Sequence, residues 1–168
     1  MSLVLSPTTI KVVSFLAPTL SLTTSASILG YTFFISPLII STTSDSASKG
    51  LAQLRPFFEG GKYIFPPSSV ICTALWSVLA YSSPLHRTAY SIAAAGAFGI
   101  LPFTSLYMIP VTNNKLLDLD DAAKRGDVTV DAKKEQVQAL METFGKQNLV
   151  RGGMFLVGGL VGLWSLLG

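Results

Sequence analysis

Charge is scarce in this sequence. Asp, Glu, Lys and Arg make up 12% of its 168 residues, against roughly 25% in soluble domains. The nine acidic residues fall in two segments, Asp45 to Glu59 and Asp118 to Glu142, where a water-exposed globule would scatter them. One histidine, His86, and one cysteine, Cys72, are present. That excludes a multi-histidine metal site, a two-histidine facial triad, a cysteine metal cluster and an intrachain disulfide within one copy of the chain. Cys72 lies in an apolar run and reads as a buried structural thiol. No GxGxxG follows a strand pattern and no P-loop occurs, so neither dinucleotide nor phosphate cradles are expected. The net charge of +3 comes from basic residues interleaved with acidic ones, which gives no stripe for nucleic acid.

What the sequence has instead is apolar length: 49% of its residues are hydrophobic and the mean hydropathy is +0.54. About 20 apolar residues cross the hydrocarbon of a bilayer as a helix. The pattern predicts an all-α, integral membrane four-helix bundle, one domain over 1–168, with spans at about 9–34, 64–83, 88–110 and 150–168. The first is expected to be a retained span and not a signal peptide, since its apolar core is too long. Pro18 and Pro102 are expected to bend their spans, and Pro66-Pro67 to stand at the start of the second. The Ser/Thr-rich stretch STTSDSASKG reads as a loop, and Leu51 to Lys62 as an interfacial segment. Ser82 to Arg87 forms a tight turn that includes His86.

Between spans three and four lies the longest polar part, Val111 to Lys146, a polar loop leading into an amphipathic helix. Gly126 to Val130 breaks it, and Asp131 reads as the N-cap of the helix that follows. Val137, Leu140, Met141, Phe144, Asn148, Arg151 and Phe155 then recur at helical spacing. Gly158 and Gly162 suit close packing within the chain and, less directly, a homo-oligomer. Nine of the twelve basic residues fall in the first and third loops, with Arg151 beside them. The positive-inside rule then predicts a multi-pass protein, of an endomembrane, with both termini away from the cytosol.

One membrane face gathers the polar groups: Tyr31, Tyr63, Tyr107, Asn113, Asn114, Asn148 and Arg151. Border Arg and Tyr often snorkel to the interface and Asn often caps helices, but polar groups at the intramembrane edge also mark function. The stretches that carry them, Pro102-Phe103-Thr104, Met108-Ile109-Pro110, Thr112-Asn113 with Leu116, Asn148 with Arg151, and Phe58-x-Gly60 before Pro66-Pro67, resemble the fungal anthrone oxygenase family in order and length. Two departures stand out. Val111 lengthens the stretch between Pro110 and Thr112, and Phe144 stands where a tryptophan is expected.

The resemblance implies oxidation of a polyketide anthrone to an anthraquinone by O2 in secondary metabolism, with no bound cofactor and no metal. A small aromatic polyketide, O2 and the lipid bilayer would be the partners. Arg151 would hold the enolate oxygen, and Asn113 and Asn148 would donate further hydrogen bonds. Phe58, Tyr63, Phe144 and Tyr107 would clamp the flat rings, with Thr104 on the substrate-binding side. The proton acceptor stays open among Tyr107, Tyr63 and Glu59. Two alternatives remain: another polyketide or terpenoid tailoring step, suggested by Val111 and Phe144, and a non-enzymatic assembly or lipid-binding protein, suggested by the glycine-rich spans.

Overall fold

In lipid the backbone has no water to bond, so a chain this apolar satisfies its amides within helices. The computed structural model describes residues 6–167; Met1 to Leu5, and Gly168 at the end of the fourth expected span, lie outside the described residues. Four helices are long and apolar enough to cross a membrane: α1, Pro7–Asp45; α2, Ala47–Ser82; α3, Arg87–Lys124; and, after a single helical turn α4, Thr129–Ala132, the last helix α5, Lys134–Leu167. Each runs further than the apolar run alone predicts.

The expected loop at STTSDSASKG is absent: only Ser46 interrupts the helices, in extended conformation. Its hydroxyl meets the Lys49 amide at 3.4 Å. The turn is tight because Gly50 lies on Thr43, where a Cβ would come within 1.9 Å of the hydroxyl. Leu51 to Lys62 is likewise no separate interfacial segment but the first part of α2, and Pro66-Pro67 lie inside that helix. The polar connection between the third and fourth spans is residues 125–133, turned by Gly126 at φ +83°. The amphipathic helix beyond it is continuous with the last span.

Two prolines coincide with a change of helix type. In α1 the turns over Tyr31–Ile35 widen to i→i+5 bonding just before Pro37, and the Ser36 amide reaches Tyr31 O. In α3 the widened stretch is Phe103–Asn113, which contains Pro110 and closes with the Asn114 amide on Ile109 O. Proline lacks the donor and crowds the carbonyl four residues back, and a wider turn relieves both. Pro102, expected as the bend, ends the first α-helical part of α3, which resumes at Asn114. Pro18 lies within regular helix.

The chain divides into two compact units, and each long helix contributes to both. The first comprises 1–27, 65–101 and 151–168. It contains no Asp or Glu, and small residues and hydroxyls hold it together. Trp76 is fully buried, donates its indole N–H to Ser21 Oγ at 2.9 Å and stacks on Tyr90. Gly162 faces the indole so closely that a Cβ would approach it to 2.1 Å. Gly158 lies on the Ala93 backbone, Ser25 donates to Gly152 O at 2.8 Å, and Ser69 donates to Ala97 O. Cys72 is buried beside Ser21, as expected of a structural thiol. His86 lies in the turn before α3, 6.0 Å from the Tyr90 ring.

The second unit comprises 28–64 and 102–150. Its core is Ile39, Ala47, Leu51, Leu54, Met108, Leu116, Val130, Val137, Met141 and Phe144. Arg55 bonds Asp120 at 2.9 Å and Asp121 at 2.8 Å, and Lys124 meets the same buried Asp120 at 2.7 Å. Asp131 does not cap its own helix. Its carboxylate accepts from the Ser48 amide at 3.0 Å and the Ser46 hydroxyl at 3.1 Å, and so caps α2 from across the chain. A helix N-terminus favours negative charge, and the Ser48 amide bond, ahead of the two serine hydroxyls, holds this carboxyl below its ordinary range.

Two measurements test this packing. Gly162→Ala should destabilise the protein by about 1–3 kcal/mol through overpacking against Trp76. Gly60→Ala, with nothing within 4 Å of the new Cβ, should be neutral or stabilising by roughly 0.5–1 kcal/mol; melting curves in detergent compare the two. Because the folded pKa of Asp131 is lowered, its contribution is complete above the unfolded value of about 3.9 and is lost as pH falls through the folded value. The melting-temperature gap between wild type and Asp131→Asn should therefore be present at pH 6 and close on acidification.

Candidate functional site

Within the second unit, the widened turns of α3 carry Thr104, Met108 and Thr112 at four-residue spacing; Met108 and Thr112 are fully buried and Thr104 half-buried. Thr112 Oγ1 lies 2.9 Å from Met108 O, 2.6 Å from Gln147 Oε1 on α5 and 3.3 Å from Asn113 Oδ1. A hydroxyl has one hydrogen, so these three acceptors compete for it. Thr104 Oγ1 and Gln147 Nε2 are buried with no hydrogen-bond partner among the described residues. Buried orphan polar groups are rare in folded proteins, and each needs an explanation.

Aromatic rings surround this unit's half of α5. Phe58 meets Phe144 edge-on at 4.8 Å, Tyr31 meets Phe144 at 5.9 Å, and Phe57 lies 4.9 Å from Tyr31. Phe58 and Phe144 were expected to act together, and the structure pairs them. Asn113 joins the Thr112–Gln147 pair, and Asn148, the next residue along α5, is buried.

The other expected residues are placed differently. Tyr107 is 50% exposed and stands 5.4 Å from Phe103; Tyr63 is 73% exposed, with Lys62 Nζ over its ring at 5.1 Å. Both rings thus face outward, as aromatic residues at a lipid border do. Glu59 bonds Lys62 and lies 3.4 Å from Arg55, within an ion-pair network. Arg151 belongs to the first unit, where its guanidinium carbon lies 5.3 Å from the Phe65 ring centroid. It is 7% exposed, so a positive charge is buried against an aromatic ring. Along α5 it follows Asn148 by one helical turn.

Thr112 was quoted within a family-like stretch, but neither it nor Gln147 was given a role in the site from sequence. A signal existed, since Gln147 directly precedes Asn148 and Thr112 directly precedes Asn113. What one sequence lacks is the pairing of α3 with α5 that buries them together. Among the described residues no three His, Cys, Asp or Glu side chains gather as metal ligands; the buried polar groups of these sites are amides, hydroxyls and one guanidinium.

A curated anthrone oxygenase of Aspergillus fumigatus is 28% identical over 156 residues, covering 85% of this chain and 86% of the relative. No solved structure matches the chain. The profile of the anthrone oxygenase family matches residues 54–161, a stretch that holds Phe58, Asn113, Phe144, Gln147, Asn148 and Arg151, and the chain therefore belongs to the anthrone oxygenase family.

Proposed function

We propose that this protein is a membrane oxygenase that converts a polyketide anthrone to an anthraquinone with O2, in secondary metabolism. The single observation that carries the reading is Arg151, a guanidinium buried in a span of a chain that belongs to this family. An anthrone bears a methylene between two aromatic rings, opposite a ketone. Loss of one methylene proton gives an enolate whose negative charge rests on the former ketone oxygen, and this electron-rich anion reduces O2. Overall the methylene carbon loses two hydrogens and gains one oxygen atom as a carbonyl, while the second oxygen atom leaves as water.

The enzyme's task is then to favour the anion. A fixed positive charge with forked donors, in a low-dielectric setting, stabilises an oxyanion far more than the same group does in water. Arg151 is assigned that role. Within the second unit, Phe58 and Phe144 offer a surface for flat rings, and Asn113 and the buried Asn148 are polar groups of that same unit. Tyr107 and Tyr63 face outward and are assigned to the membrane border, where an apolar substrate enters from lipid. The proton acceptor belongs to no assigned residue. On this reading both termini lie away from the cytosol in an endomembrane; the concentration of basic residues between 49 and 62 and between 115 and 146 supports that orientation through the positive-inside rule.

Val111 and Phe144 favour a second reading, a related tailoring step on another polyketide or terpenoid. Deletion of the gene separates the two, because accumulation of an anthrone excludes the second.

Membranes that contain the protein should accelerate O2-dependent anthrone oxidation above the spontaneous rate. Arg151→Ala should lower that gain by roughly 100-fold or more, the usual loss when an oxyanion donor is removed, with unchanged protein level in the membrane. Equal rates with and without the wild-type protein would sink the proposal.

A further inference from the structure

Gln147 is 4% exposed, and its amide nitrogen has no hydrogen-bond partner among the described residues. Its oxygen is engaged. The 2.6 Å separation from Thr112 Oγ1 is typical of O–H···O and short for N–H···O. That distance assigns the Thr112 hydrogen to Gln147 Oε1 and turns the NH2 group away from Thr112. Two donor hydrogens are left inside the protein, where leaving them unbonded costs free energy that an apolar side chain of the same length would not incur. One turn earlier on α5 stands Phe144, with Phe58 and Tyr31 at its ring edges. An unpartnered donor one helical turn from a cluster of aromatic rings matches a flat aromatic ligand that bears a hydrogen-bond acceptor on its edge.

We propose that Gln147 is a specificity residue that donates its amide N–H to a ring oxygen of the substrate, and so distinguishes oxygenated tricyclic aromatics from hydrocarbons of the same shape. The proposal rests on the anthrone reading above. Thr112 acts as a positioning residue, because its hydroxyl holds the amide oxygen and thereby fixes which way the donors face. Gln147→Met removes the amide and leaves no new orphan, since Thr112 keeps Met108 O at 2.9 Å as its acceptor.

The full chain in lipid nanodiscs is titrated with anthraquinone and with anthracene, which share the three-ring frame and differ in two carbonyl oxygens; empty nanodiscs correct for partition into lipid. Wild type should prefer anthraquinone. Gln147→Met should bind anthraquinone about 10-fold more weakly, the worth of one buried hydrogen bond, bind anthracene unchanged, and melt without ligand no lower than wild type. An unchanged preference, or a loss shared equally by both ligands, overturns the proposal; so does a lower melting temperature with the preference retained, which would mark a structural amide. Should Gln147→Met not fold, Gln147→Leu also removes the amide and introduces no other donor, and it must lose the same preference; if it retains it, the proposal falls. Failure of the wild type to bind either ligand would instead overturn the anthrone reading, and this proposal with it.

Discussion

In the first unit, helices approach until a side chain on one lies against backbone on the next. Gly162 lies against the Trp76 indole, Gly158 against Ala93, and Gly96 against the Met154 carbonyl. Between helices in lipid there is no hydrophobic driving force, because lipid tails are as apolar as the side chains. Association rests on dispersion contacts and on hydrogen bonds such as Trp76 to Ser21, Ser25 to Gly152 and Ser69 to Ala97. Both need short distances, and small residues provide them. A methyl group on Gly162 would be felt across the unit, whereas one on Gly60 would meet nothing.

The second unit solves a different problem. It holds all of the acidic residues, and its connections are fixed by charge. Asp120 is buried between Arg55 and Lys124; a buried carboxylate needs such partners because its desolvation is otherwise too costly. Asp131 ties the link before α5 to the start of α2. The same unit holds the buried Thr112–Gln147 pair, in which the Gln147 amide nitrogen has no hydrogen-bond partner among the described residues.

Widened helical turns bear on the same region. Pro110 would break an ordinary α-helix, and the i→i+5 bonding of Phe103–Asn113 absorbs it. The side chains of this stretch are thereby rotated from their α-helical positions. The added residue Val111 falls inside it, so the departure from the family pattern sits where the helix is already adapted to irregular spacing.

Composition and hydropathy determined the helical class, the number of spans and the buried face of α5, because backbone in lipid has few options and apolar spacing exposes the face that packs. Of the four rings grouped as a clamp, Phe58 and Phe144 meet, while Tyr63 and Tyr107 face outward. The one-turn spacing of Asn148 and Arg151 on a single helix was also legible, from helical periodicity alone. The tight break at Ser46, the reach of α2 through Pro66-Pro67, the capping of α2 by Asp131 and the Thr112–Gln147 pair were not. Each depends on contacts between residues distant in sequence, where local signals such as a Ser/Thr cluster or an acidic residue before a helix point elsewhere. Tertiary structure alone decided which polar groups are buried together, because hydrogen bonds in a low-dielectric interior depend on distances of a few tenths of an ångström that no spacing rule encodes.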